Sequence, residues 1–208
     1  GKAELLVKGY ASPHGFQLKP SQVKSLQEAT IVFSIHESLE TFLQRALSNV
    51  PGEVKQSAVV ESARMKLLPV REGGPWEGHD HGHHEEKHEK HSDHKDHAEH
   101  KGHDDHKGHD DHEDGDVHVW LTPQNAIKIV KAITRDLSKV FPQNRNVYKA
   151  NARNYIKKLD KLDSEIKIRL KDIKTKPFIY FHDAFQYFET TYGLNGVGTI
   201  SVEPDESP

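Results

Sequence analysis

Apolar and polar positions alternate along the chain in short blocks, and the blocks change period from two to nearly four. "AELLVKGY", residues 3–10, alternates and then runs apolar, which predicts a strand. "ASPHGFQLKPSQ" is rich in turn residues and reads as a loop. Pro20 then opens a short helix over "PSQVKSLQEA", because proline is well tolerated in a first helical turn. "TIVFSI" is β-branched and aromatic, the pattern of a buried strand. In "HESLETFLQRAL", Leu39, Phe42, Leu43 and Leu47 fall at helical spacing, and "SAVVES" carries a weak strand pattern. Strand and helix thus alternate, which predicts a parallel sheet with helices on its faces.

The pattern stops between about Gly73 and Asp116 and resumes at "DVHVWLTPQNAIKIVKAITRDLSKVFP". There Thr122 is placed to cap a helix whose first residue is Pro123. Ala126, Val130, Ile133, Leu137 and Val140 form an apolar stripe. After Pro142, helical spacing runs through Tyr148, Ala152, Tyr155, Leu159, Leu162, Ile166, Leu170 and Ile173. Roughly thirty helical residues span about 45 Å, longer than a small domain, so this helix is suited to connect two lobes. "KPFIYFHD" reads as a buried strand, "AFQYFETTYG" as a helix ended by Gly193, and "GVGTISV" as a further strand. A second strand-helix-strand unit therefore starts near Lys176 and is cut off. Its helix is expected to leave Phe185, Phe188 and Tyr192 short of partners.

Composition changes the picture at the interruption. Thirteen of the chain's 17 histidines lie in one run: His79, His81, His83, His84, His88, His91, His94, His97, His100, His103, His106, His109 and His112. From His88 onward they recur at every third residue, separated almost entirely by Lys, Asp, Glu and Gly. Eleven acids against five lysines give residues 79–112 a charge of −6 with His neutral, so the whole-chain −3 leaves +3 for the rest. A near-neutral body of that kind gives no case for a nucleic-acid partner. Without apolar periodicity, residues from about 78 to 115 are expected to lack regular structure unless metal is present. In a polyproline-II-like conformation, a period of three would align the imidazoles on one edge, where neighbours converge on one ion. The competing reading is a solvated linker or an affinity tag, but a tag is a block of consecutive His at a terminus.

Zero Cys excludes thiolate sites and disulfides. No apolar run approaches the roughly eighteen residues of a membrane span. Starting at Gly1 and stopping at "VEPDESP", the chain reads as a processed or truncated piece, with room for a removed signal peptide.

Only His14, His36, His118 and His182 stand outside the run. His14 follows the first expected strand, His118 precedes a helix start, and His182 ends a strand. Ligands of open α/β sheets gather at the carboxyl ends of strands, so these three point to one shared site. Three neutral imidazoles and a fourth position make a usual zinc sphere. Taken singly, each is also readable as an ordinary hydrogen-bonded or surface histidine.

"GYASPHGFQLKPSQVKSLQEATIVFSIHESLETFL", "DVHVWLTPQNA" and "FIYFHDAFQYFETTYGL" resemble, in the same order, three marker segments of the ZnuA-like periplasmic zinc-binding proteins. These are the metal-specific solute-binding proteins of ABC transporters. The His-rich insertion sits before the second marker, as in that family, and "SVEPDESP" resembles its Pro-x-x-x-Pro stretch. The resemblance covers nearly the whole chain. It implies an α/β fold of two parallel-sheet lobes joined by a long rigid helix, the second lobe incomplete here. Residues 1–141 would be the first lobe, with the His-rich loop at about 78–116. Residues 142–175 would be the connecting helix and 176–208 the start of the second lobe.

It further implies Zn2+ held in the cleft by His14, His118 and His182, a membrane permease as partner, and a monomer in the periplasm. Three departures stand out. Pro13 occupies a position where some zinc-specific relatives carry Glu. His36 replaces a usual Gly and is either an auxiliary ligand or a surface residue. About a third of the family length is missing at the C-terminus, so the fourth ligand is open, with water one candidate. On this reading no catalysis is needed: the site takes up zinc and the His-rich loop gathers or senses it. Capture by the loop should weaken below the unperturbed histidine pKa of about 6.5. The alternatives are a zinc buffer, in which the run is the whole function, and a three-His zinc hydrolase. For the hydrolase reading, none of His14, His118 and His182 stands in a His-Glu-x-x-His signature.

Overall fold

The computed structural model describes residues 2–9, 11–71, 76 and 115–201. The histidine run therefore lies outside the described residues, as does nearly all of "SVEPDESP".

Two parallel strand pairs make the α/β frame. In the first half, α1 (Pro20–Gln27) leads to β1 (Ile31–Ser34), α2 (Thr41–Leu47) and β2 (Lys55–Ala58). β1 and β2 pair in parallel, Ile31 opposite Lys55 and Ser34 opposite Ala58, so the chain crosses over through α2. Leu26, Val32, Leu43 and Val54 form the core beneath them, and Leu6, Leu18, Phe42 and Leu47 pack against it. The start of α1 is fixed by the Lys19 N–H, which donates to Gln22 Oε1 at 2.8 Å.

The expected strand at 3–10 is not formed among the described residues. Leu6 leans on the first core, but its carbonyl accepts from the Gln22 amide at 2.6 Å rather than from a neighbouring strand. Leu5 is 67% exposed and Gly9 turns the chain at φ 70°. Alternation makes a strand only where a sheet edge takes up its ladder, and none does so here. The helix expected from His36 begins later, at Thr41. Residues 35–40 instead wrap around the Glu40 carboxylate, which accepts from the Ile35 and His36 N–H groups. "SAVVES" is split: the strand stops at Ala58, and α3 (Val59–Ser62) turns Val59 and Val60 inward.

A two-residue antiparallel ribbon links the halves. β3 (Leu68–Pro69) pairs β4 (Gly115–Asp116), closing the base of the histidine run. The approach is close enough that a Cβ on Gly115 would meet Leu67 Cβ at 2.5 Å and Leu68 O at 2.9 Å, which only glycine avoids.

α4 (Pro123–Val140) starts as its sequence requires, Thr122 accepting from the Asn125 N–H. It packs along α5 (Arg145–Leu170), 26 residues or about 39 Å of helix. The expected stripe on α4 is half-buried; the fully buried Ala132 and Ser138 lie off it, because α4 also packs against α3. Asp163 of α5 accepts from Gln124 at the head of α4 at 2.5 Å and from Tyr192 at 2.9 Å.

The second unit is β5 (Pro177–His182), α6 (Gln186–Tyr192) and β6 (Asn195–Ser201), with β5 and β6 parallel. Gly193, at φ 64°, ends α6 in the left-handed conformation that favours glycine. The aromatic residues of α6 differ in part from expectation. Phe185 is 39% exposed, as expected, but Tyr192 is buried, its hydroxyl on Asp163, and the strands expose Ile179, Phe181, Val197 and Ile200 as well. A second core of Val60, Val119 and Tyr187, joined by Ile35, Met65, Leu67 and Trp120, ties this unit to the first. No helix of the described residues is long and apolar enough to cross a membrane.

Candidate metal centre

Three elements distant in sequence deliver one side chain each to a single point. His14 lies in the loop before α1, its N–H donating to Ser12 Oγ at 3.1 Å, with Gly15 at φ 65° turning the chain behind it. His118 lies two residues beyond the end of β4 and directly precedes a single 3-10 turn at residues 119–121. His182 is the last residue of β5.

His118 Nε2 stands 3.3 Å from His14 Nε2 and 3.3 Å from His182 Nε2. One ligand atom from each of the three lies within 4.8 Å of the others. The ring centroids are 5.1 to 5.7 Å apart, with His182 edge-on to the other two rings. Around zinc, with Zn–N about 2.0–2.1 Å, a tetrahedron has ligand–ligand edges of about 3.3–3.4 Å. The two nitrogen separations match that edge. Among the described residues no further carboxylate or imidazole joins the group.

Electrostatics favour a cation at this point. Asp116 accepts from the His118 backbone N–H at 2.9 Å and from the ring Nδ1 at 2.8 Å. An ionised carboxylate only accepts, so Nδ1 carries the proton and Nε2 turns its lone pair into the site. Asp116 and His118 are both buried. The other oxygen of Asp116, Oδ2, is buried with no hydrogen-bond partner among the described residues. A buried, partly unsatisfied carboxylate behind a metal-facing imidazole fits a bound divalent ion, whose charge it offsets through the ring.

Tyr187 steadies this arrangement: its hydroxyl donates to Asp116 O at 2.6 Å and accepts from the Leu68 N–H at 3.0 Å. Burial pushes the Tyr187 hydroxyl up to about 12, so it stays a donor. Trp120 closes one side, its ring centroid 5.5 Å from that of His118.

His36 is not brought to this point. Its Nδ1 lies 2.8 Å from Ser38 Oγ and its Nε2 3.5 Å from Glu61 Oε1. The thirteen histidines of the run fall outside the described residues. Sequence reasoning missed Asp116, Tyr187 and Arg71. Asp116 had a local signal, a carboxylate two residues before a histidine. The other two act through contacts across 71 to 119 residues, for which no local pattern exists.

An α/β frame that brings three imidazoles to one point has the donor set of a metal-binding protein. Over residues 1–208 the sequence matches the family described as "Zinc-uptake complex component A periplasmic", and the chain belongs to that family. It is 40% identical over 211 residues to the high-affinity zinc uptake system protein ZnuA of Brucella abortus, covering 100% of this chain and 63% of that protein. Zinc-binding protein AdcA of Streptococcus pyogenes is 34% identical over 213 residues, covering 100% of this chain and 37% of AdcA. Among solved structures, the Zn(II)-bound ZnuA-like domain of Streptococcus pneumoniae AdcA aligns at TM-score 0.68 and 27% identity, over 99% of this chain and 61% of that one. The chain thus spans less than two thirds of the length of these relatives.

Proposed function

We propose that this chain is the zinc-capturing part of a periplasmic solute-binding protein, which hands its ion to the membrane permease of an ABC importer. Zinc is cargo here, held by His14, His118 and His182, with the fourth position left to water or to a residue outside this group. Residues 1–141 serve as the first lobe, 142–175 as the connecting helix and 176–208 as the beginning of the second lobe. The protein works as a monomer and catalyses nothing: binding to neutral imidazoles involves no redox change and no bond cleavage.

The observation that carries the reading is the pair of 3.3 Å separations centred on His118 Nε2, the edge of a zinc tetrahedron. The relatives named for zinc uptake and zinc binding support zinc as the cargo. The thirteen-histidine run adds many weak, exchanging sites that gather or sense zinc beside the tight one.

A buffer protein is the second reading, favoured by the size of the run. Zinc titration against a competing chelator separates the two after deletion of residues 79–112. A receptor keeps one tight site; a buffer loses nearly all binding. Loss of the tight site with the run would overturn the proposal.

A further inference from the structure

One strong ion cluster is not explained by zinc ligation, and it sits where the ribbon β3–β4 meets the unit carrying His182. Arg71, two residues beyond β3, donates from Nε to Asp183 Oδ2 at 3.1 Å and from Nη2 to Asp183 Oδ1. Its Nη1 donates to Glu189 Oε2 at 2.6 Å. The guanidinium lies 3.6 Å from the centroid of the Trp76 ring. All three charged side chains are largely buried, with Arg71 only 15% exposed. Burial alone would weaken the hold of Arg71 on its proton; the bonds to Asp183 and Glu189 outweigh it and leave the group above its ordinary value.

Both carboxylates have a place in the frame of the second unit. Asp183 directly follows His182. Glu189 of α6 accepts from the Gly196 N–H of β6 at 3.2 Å and from the Tyr180 hydroxyl of β5 at 3.3 Å. A Cβ at Gly196 would lie 2.6 Å from Glu189 Oε2, so the glycine leaves room for the carboxylate. Arg71 thus grips all three elements of the unit through two acids.

The ribbon is held to both halves of the site. β4 supplies Asp116, which orients His118; just beyond β3, Arg71 fixes Asp183, which is covalently next to His182. Gln186 adds a bond to Pro69 O at 3.1 Å on the same seam. Resting on the zinc site proposed above, the geometry points to Arg71 as a positioning residue for His182. Its fork on Asp183 sets how closely the end of β5 approaches His118. Arg71 is not a ligand; it acts through Asp183. Planar bidentate pairing of this kind fixes orientation, which a lysine does not reproduce.

A double-mutant cycle on the full chain tests this, with zinc as the probe and a chelator strong enough to strip weak sites. In the parent, Arg71→Ala should weaken the tight site about 10- to 100-fold, the usual cost of losing an outer support of a metal ligand. In the His182→Ala background the same change should cost less than about twofold, because the residue it acts through is gone. In the His14→Ala background the full loss should return. An undiminished loss without His182, or no loss in the parent, overturns the proposal. If Arg71→Ala does not fold, Asp183→Asn, which keeps the shape, is read by the same cycle with the same two outcomes. Parent-like zinc affinity in His182→Ala alone would overturn the site itself, a failure visible before the cycle is closed.

Discussion

Two groups of histidine in this chain stand in opposite relation to the fold. The run from His79 to His112 gathers its imidazoles by sequence alone, at every third residue from His88 onward, among residues that are almost all charged or Gly. His14 and His182 lie 168 positions apart, with His118 between them, and the three meet only because the fold is made. The difference separates multiplicity from preorganisation. On the function proposed above, the imidazoles of the run are ordered by the ion each time it binds, and that ordering costs entropy. Three imidazoles held by Asp116, a strand end and a ribbon have met that cost in folding. The first arrangement favours capacity and exchange, the second affinity for a single ion.

The sharpest break between the two comes from removing one fixed ligand. Structural zinc sites gain about 10–16 kcal/mol from four ligands, so each contributes roughly 3 kcal/mol. His118→Ala should therefore weaken the tight site by about a hundredfold or more, while weak binding by the run stays as it was. A chelator competition that resolves both classes checks this. Equal weakening of both would mean that the classes are not separate.

A smaller effect is expected at Asp116, which touches the ring and not the ion. Asp116→Asn keeps the shape but loses the acceptor that fixes the His118 tautomer. Zinc affinity should fall about 10- to 100-fold with one tight site retained. An unchanged affinity would show that the His118 ring is oriented by packing alone.

Much of the frame could be read from local pattern. The Thr122–Pro123 start of α4, the long run of α5, β5 and the stop at Gly193 all follow from caps and periodicity within a few residues. The three histidines were also named by their places at segment ends, and the structure brings their rings within 5.1 to 5.7 Å. What could not be read depends on distant partners. Residues 3–10 read like a strand, but among the described residues they find no ladder, and Leu6 O is taken by Gln22 instead. Tyr192 was expected to be short of partners, yet it is buried because Asp163, 29 residues earlier, receives its hydroxyl. Arg71 and Asp183 lie 112 residues apart, beyond any periodicity.

Asp163 offers a test of the frame without touching the site. Burial would raise its carboxyl, but Lys167, Tyr192 and Gln124 hold it below the usual carboxylate range. Because the folded value is depressed, the stabilisation is present above the unfolded value of about 3.9 and fades as pH falls through the folded value. Asp163→Ala should destabilise the full chain by about 1–3 kcal/mol at neutral pH, since it strands buried donors. The gap from the parent should narrow below about pH 4 in thermal unfolding. A gap independent of pH would mean that packing and not charge is lost.

The smallest change at the fixed site should come from the largest deletion. Without residues 79–112, total zinc uptake should drop by several ions, while the tight site shifts by less than about threefold. Calorimetric titration reports both numbers at once. A large shift of the tight site would tie the two groups together.

The central claim is that one zinc ion sits on His14, His118 and His182, and X-ray absorption at the zinc edge tests it most directly. Measured on the chain lacking residues 79–112 and loaded with one equivalent, the spectrum should show a shell of nitrogen or oxygen at about 2.0–2.1 Å, with the outer scattering of three imidazoles. His182→Ala should remove one imidazole from that count. A shell of oxygen with no imidazole scattering, or an unchanged spectrum in His182→Ala, would contradict it.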